Sequence, residues 1–264
     1  MRFDLSNCFQ FVCTLILSSL FGISIGGSIA ASQPVPGVID KDDRRPIDSQ
    51  APPWNAVGKI YAPRFGRVVE CTGTLIEPNV VVTAAHCLFH KQSGKPLRPS
   101  EIHFLAGYRR EKYLAHAVAK CVNFHPDYNF RKKLSAKSVS NDVAFLVLNK
   151  PLKTPAASFY DKARIGKSDS LVHAGYGQDR RYMLAGHTGC KAKFYRNNTY
   201  FTDCDTAEGA SGGPVFVKKD GRYAIAAVMS SNATLNSPEG KKPYNLATSI
   251  LRDRDRLAEI KKCR

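Results

Sequence analysis

Glu-Gly-Ala-Ser-Gly-Gly-Pro-Val, residues 208 to 215, sets Ser211 among glycines, and two further segments give that serine a chemical context. Thr-Ala-Ala-His-Cys occupies 83 to 87, and Asn-Asp-Val-Ala-Phe-Leu-Val-Leu occupies 141 to 148. A serine hydroxyl is a poor nucleophile until an imidazole removes its proton, and the imidazole needs a carboxylate to fix its tautomer and steady its charge. His86, Asp142 and Ser211 supply those three parts. Glycine around the serine permits a tight turn whose backbone N–H groups, those of Gly209 and Ser211, can converge on one oxyanion. A Gly-Ser-Gly tripeptide by itself marks a turn, and a lone histidine before a cysteine marks a packed strand end. The three segments in this order outweigh both readings.

Outward from these segments the chain has a β rhythm. Short runs rich in Val, Ile, Tyr and Phe recur between Gly, Pro and Asn punctuation, as at 80–83, 102–106, 143–148 and 223–229. A chain of 264 residues with 43% hydrophobic content can bury a substantial core, and all-β barrels commonly reach this size. No internal repeat is legible.

The order and flanks of His86, Asp142 and Ser211 resemble the trypsin-like, chymotrypsin-fold serine proteases. The likeness runs from about Trp54 to the C-terminus and includes Cys-Thr-Gly-Thr-Leu-Ile at 71 to 76 and Ala-Gly-Tyr-Gly at 174 to 177. It implies an all-β fold of two six-stranded antiparallel β-barrels with a C-terminal helix, the first barrel over 54–165 and the second with its closing helix over 166–264. It also implies hydrolysis of protein or peptide substrates by a monomer, with no cofactor and no metal. Between about 249 and 262, Ile250, Leu257 and Ile260 fall near one helical face, as the closing helix requires. A helix with so modest an apolar face packs on its own domain more readily than on a partner.

The first thirty residues read as a signal peptide. Arg2 precedes an apolar stretch from about Phe9 to Ile25, and small residues lead to a cleavage site after Ala30. Ser18, Ser19, Gly22 and Ser24 dilute the stretch, and Gly26-Gly27 break it, which argues against a retained membrane anchor. No later segment is apolar enough to span a bilayer. The protein is expected to be secreted or periplasmic. Cys8 and Cys13 leave with the signal, and the six remaining cysteines suit an oxidising compartment. Six cysteines permit about 15 pairings. The family resemblance implies Cys71 with Cys87, Cys190 with Cys204, and Cys121 with Cys263. A zinc site built from these residues finds no CxxC or HxxxH spacing to support it.

Residues 31–53, rich in proline and carrying Asp40-Lys41-Asp42-Asp43-Arg44-Arg45, read as an extended leader on the surface. In trypsin-type zymogens a freed amino terminus pairs with an aspartate directly before the catalytic serine. That position here is Ala210, so this charge switch does not operate. The departure resembles the bacterial glutamyl-endopeptidase-like (V8-like) branch, as does Val38-Ile39 followed by Asp42-Asp43-Arg44. For specificity, Asp205 stands where trypsin-like enzymes carry the aspartate that selects Arg or Lys, and Ser230 and Ser231 fall on the substrate-binding strand. Other pocket positions depart from the trypsin pattern: Ala207 replaces a cysteine, and Asn245 or Leu246 falls near a wall position that is usually glycine. Val228 stands where glutamyl endopeptidases place a histidine. Asp205 is also open to a plainer reading, a loop carboxylate paired with a nearby Lys or Arg.

Charge is the remaining unusual property. Lys and Arg number 39 against 22 Asp and Glu, a formal net charge of +17. Such a surface attracts polyanions whatever the fold, so a polyanionic surface is a possible partner, although no nucleic-acid module is recognisable. Asn197 and Asn232 begin glycosylation sequons, which matter only in a eukaryotic secretory pathway. The alternative to a protease is a cationic binding protein on a protease scaffold. An intact triad favours the enzyme, since scaffolds used only for binding commonly lose His or Ser.

Overall fold

Val80 to Thr83 is buried at every position, so this short run of β-branched residues must have neighbours on both faces and both edges. The computed structural model, which describes residues 34–64, 67–131 and 135–263, supplies them. The expected signal segment lies outside the described residues. Strands numbered along the chain are β1 (Arg45–Pro46), β2 (Val57–Arg64), β3 (Arg67–Glu77), β4 (Val80–Thr83), β5 (His103–Ala106), β6 (Ala115–Phe124) and β7 (Ala144–Leu148). There follow β8 (Ser170–Gly175), β9 (Ala185–Cys190), β10 (Ala192–Arg196), β11 (Thr199–Thr202), β12 (Pro214–Lys219), β13 (Arg222–Ser237) and β14 (Gly240–Ser249).

Six of them close a barrel in the order β2-β3-β4-β7-β6-β5, with every pairing antiparallel. The remaining eight form one sheet in the order β1-β9-β8-β12-β13-β14-β11-β10. This corrects the expectation of two six-stranded barrels. The second sheet takes in β1 from the segment ahead of the first barrel, and among the described residues it ends at β1 on one side and β10 on the other without closing.

The two sheets share one apolar core. Ile60, Leu75, Val81 and Phe104 of the first belong to the same buried cluster as Val172, Phe216, Ile225 and Val228 of the second. Polar ties cross the same boundary. The Tyr176 backbone N–H donates to Thr72 Oγ1 at 2.9 Å and its hydroxyl donates to the Tyr108 carbonyl at 2.9 Å. Three disulfides pair as the resemblance implied: Cys71–Cys87, Cys121–Cys263 and Cys190–Cys204.

Two further expectations are refined. The leader runs largely on the surface but is anchored at points: Asp40, Lys41, Asp43 and Arg45 are exposed, whereas Arg44 is 4% exposed, Ser49 is fully buried, and β1 pairs with β9. The closing segment is mostly a 3-10 helix over Leu251–Arg256, with α-helix confined to Leu257–Ile260. Its apolar anchors are those expected, since Ile250 and Ile260 are both buried. Asp253 lies within the 3-10 turns and is itself buried, its carboxylate bonded to Arg256 at 3.1 Å, so the segment serves a polar contact as well as an apolar face. Among the described residues, no helix is long and apolar enough to cross a membrane.

Candidate active site

The histidine is delivered by β4. After Thr83 the chain turns through a 3-10 helix, Ala85–Leu88, that puts His86 at the barrel edge, with Cys87 beside it bridged to Cys71 on β3. Asp142 comes from the turn between the short helix α1 (Ala136–Val139) and β7. The contact between them has two parts. His86 Nδ1 lies 2.7 Å from Asp142 Oδ2, and the His86 backbone N–H donates to Asp142 Oδ1 at 2.8 Å. A carboxylate can only accept here, so the ring proton sits on Nδ1 and Nε2 keeps its lone pair free to take a proton. That is the tautomer a general base requires.

Asp142 has a third donor, the Ser230 hydroxyl, 2.5 Å from Oδ2. The sequence reading made Ser230 a substrate-binding residue; its hydroxyl is engaged by the carboxylate, and the residue also lines the smaller cleft beside His86 and Asp142. Nothing in the linear sequence joins residue 230 to residue 142, because the contact exists only once the second sheet is laid against the first. Electrostatics follow from this cage. Burial works against a charged Asp142, but the facing imidazole and the donors from His86 and Ser230 outweigh it and hold the carboxyl below its ordinary range. Burial likewise opposes a charged His86, and Asp142 outweighs it, so the imidazole lies above its ordinary value of 6.5.

Ser211 lies on the loop before β12, and backbone bonds fix that loop on both sides. Its carbonyl accepts the Thr72 N–H at 2.9 Å, Gly212 N–H donates to Met229 at 2.7 Å, and Met229 N–H donates to Gly213 at 2.9 Å. Glycine is required in two places. Gly209 has φ +92°, and a Cβ at Gly212 (φ +79°) would lie 2.1 Å from Thr83 Oγ1. Beneath the loop, His173 donates from Nδ1 to the Pro214 carbonyl and accepts at Nε2 from Thr206, each at 3.0 Å. The structure brings Ser211, Gly209 and His86 to one cleft, walled by the Cys71–Cys87 disulfide. Those two sulfurs and a His86 nitrogen lie within 4.8 Å of one another, but the sulfurs are covalently joined and leave no thiolate for a metal.

Asp205 is placed differently from the expectation of an open counter-ion. It is 1% exposed, and its carboxylate accepts the Ile39 N–H at 2.8 Å and the Asp43 N–H at 2.9 Å, while His187 Nδ1 stands 3.3 Å away. Burial alone would raise its pKa, but His187 and the two backbone donors hold it below the usual carboxylate value. The neighbouring Gly37 carbonyl accepts from Thr206 N–H and from Asn245 Nδ2. A carboxylate so occupied has little capacity left for a substrate cation. Ser231 lines a smaller cleft with Tyr128, Asp142 and Ser230, and its buried hydroxyl has no hydrogen-bond partner among the described residues. Val228 is fully buried. Sequence reading missed His187 and the structural use of Arg44; the Asp-Asp-Arg-Arg cluster was the only signal for the latter.

The trypsin family model matches residues 42–251 of this chain. A glutamyl endopeptidase of Bacillus licheniformis is 24% identical over 232 residues, covering 83% of this chain and 67% of that protein. The serine proteinase stubble of Drosophila melanogaster is 26% identical over 212 residues, 67% of this chain, which spans only 26% of that protein. A solved structure of a Glu endopeptidase in complex with MPD superposes with a TM-score of 0.64 at 18% identity, covering 84% of this chain and 99% of the other, a likeness of fold. With a family match that reaches from the leader to the last strand and holds all three motif segments, the chain belongs to the trypsin family of serine endopeptidases.

Proposed function

We propose that the protein is an exported endopeptidase in which Ser211 is the nucleophile, His86 the general base and then acid, and Asp142 the group that orients His86. Ser211 Oγ attacks the peptide carbonyl as its proton passes to His86 Nε2; the Gly209 and Ser211 N–H groups hold the oxyanion; His86 then protonates the departing amine. Water repeats the sequence on the acyl-enzyme. The observation that carries this reading is the double contact of His86 with Asp142, 2.7 Å through the ring and 2.8 Å through the backbone, beside a cleft that also holds Ser211.

Selection of Arg or Lys by Asp205 loses its support, because the carboxylate already accepts two leader N–H groups and faces His187. Asp205 is assigned the role of anchoring the leader. Export rests on the apolar N-terminal stretch and on three disulfides, which persist in oxidising compartments.

The test is labelling with a fluorophosphonate together with cleavage of a random peptide library. The protein should take up one label and cleave; Ser211→Ala should lose the label and about four to six orders of magnitude in turnover. A Ser211→Ala protein that cleaves at the original rate would end this reading.

A further inference from the structure

We propose that the hairpin tip Arg109 to Lys112, with Tyr113, Leu114 and Tyr182 beside it, is a docking surface for an anionic lipid bilayer. The proposal is independent of the catalytic roles assigned above, and it gives a place to positive charge that those roles leave unused.

The tip is built to hold its side chains outward. Arg109 and Lys112 bond to each other through the backbone in both directions, at 2.7 and 3.0 Å, and Arg110 and Glu111 between them take φ +46° and +68°. A two-residue turn of this hand favours Asn and Gly, so Arg and Glu hold it against their own preference. A second loop fixes it: the Arg110 N–H donates to the Tyr182 carbonyl at 2.8 Å, which joins the tip and the 181–182 loop in one surface. Every residue from Arg109 to Leu114 is exposed, as are Arg181 and Tyr182. Arg109 is paired with Asp48 at 3.1 Å and Arg181 with Glu70 at 3.4 Å, whereas Arg110 and Lys112 make no ion pair among the described residues.

Charge alone would suit any polyanion; the apolar residues narrow the choice. Tyr113 is 48% exposed, Leu114 49% and Tyr182 48%. Large apolar side chains scattered singly need no partner, but three on one surface gain when an apolar medium receives them. A soluble polyanion satisfies the cations and leaves Leu114 in water. A bilayer takes both kinds of group. Tyrosine sits at the headgroup level, its ring toward the acyl chains and its hydroxyl toward water, while Arg110 and Lys112 meet the lipid phosphates. Neither the Tyr113 nor the Tyr182 hydroxyl has a hydrogen-bond partner among the described residues, so both are open to headgroup oxygens. The net charge of +17 draws the protein to such a surface, and the hairpin then sets its orientation. Glu70, the partner of Arg181, also lines the catalytic cleft, so a protein docked here holds its cleft next to the membrane.

The experiment is cosedimentation with vesicles of phosphatidylcholine alone or mixed with phosphatidylglycerol, alongside binding to dextran sulfate as a soluble polyanion. The protein should bind the mixed vesicles and not the neutral ones. Each cation at an anionic surface strengthens binding by about fivefold, so Arg110→Gln with Lys112→Gln should weaken it by about 25-fold. Tyr113→Ser with Tyr182→Ser should weaken vesicle binding by about tenfold and leave dextran sulfate binding unchanged. Lys218→Gln with Lys219→Gln, at the exposed turn after β12, removes the same charge elsewhere and should weaken binding far less. Unchanged melting temperatures report that the variants fold. Three results overturn the site: no binding to the mixed vesicles, a Tyr113 and Tyr182 variant that binds them as the wild type does, or a Lys218 and Lys219 variant that loses as much as the Arg110 and Lys112 variant. The second of these would make a soluble polyanion the partner.

Discussion

Two histidines of this protein show how one side chain takes opposite properties from its neighbours. His173 is buried between a carbonyl and a hydroxyl, and burial pushes its pKa down to about 4, so it stays neutral beneath the nucleophile loop. His86 is opposed by burial too, but Asp142 at 2.7 Å outweighs it and carries the pKa above 6.5. A general base works only when neutral, so activity must rise as the pH climbs through the His86 pKa and vanish below it. We predict that the acid limb of kcat/KM has its midpoint above 6.5. Asp142→Asn removes the charge and leaves the opposing effect of burial, so its midpoint should fall below that of the wild type while the rate drops by about 10⁴-fold. A profile from pH 4 to 9 on both proteins checks this; a wild-type midpoint near 5, or an Asn variant shifted upward, contradicts the assignment. The pair itself was legible in the sequence, because each member sits in a short motif. The bond from the Ser230 hydroxyl to the same carboxylate was not legible, because the shape of the second sheet decides where that hydroxyl points.

The leader is where local sequence fell short. Prolines and a charge cluster at 40–45 describe a segment with little intrinsic structure, and that description is fair to the isolated peptide. Its partners lie far along the chain: Asp205 is 166 residues from Ile39 and 162 from Asp43, and Asp179 is 135 from Arg44. Arg44 is held at 3.0 Å by Asp42 and at 2.7 Å by Asp179, and Arg180 closes the cluster on Asp42 at 2.6 Å. The two backbone N–H groups on Asp205 come from the middle of the leader, so this contact needs no freed amino terminus, in keeping with Ala210 in place of an activating aspartate. We predict that protein beginning at Pro34 is fully active, whereas protein beginning at Arg45 is less stable and poorly active, having stranded a buried carboxylate without its donors. Arg44→Ala in the longer form should cost about 2–4 kcal/mol, since Asp42 and Asp179 keep some solvent access. Thermal melts of the two N-terminal forms decide the matter; equal melting temperatures and equal turnover would mean that the leader is packed but not needed.

For the molecule as a whole, composition and β rhythm pointed to an all-β chain, and three spaced motifs pointed to His86, Asp142 and Ser211. The closed six-stranded barrel matches that expectation, and the eight-stranded sheet departs from it because strand count depends on which remote segments dock at its edges, such as β1 against β9. The closing segment shows the same limit at the other end: Ile250, Leu257 and Ile260 were read as one helical stripe, yet only Leu257–Ile260 is α-helical. What holds this end is chiefly long-range. Asn123 Nδ2 donates to the Ile260 carbonyl at 2.8 Å, Lys261 pairs with Glu77 at 2.6 Å, and Cys121 is bonded to Cys263 across 142 residues. The other two disulfides close loops of 16 and 14 residues. If disulfides act mainly by removing freedom from the unfolded chain, the long loop contributes about 5 kcal/mol and each short loop roughly 3. We therefore predict that the Cys121→Ala, Cys263→Ala double variant loses more stability in denaturant than the Cys190→Ala, Cys204→Ala variant. The second of these also leaves a fully buried site at Cys204, which works against the ordering and makes it a demanding comparison. If the Cys190 and Cys204 variant proves the weaker of the two, packing around the buried sulfurs, and not loop closure, sets what each bridge contributes.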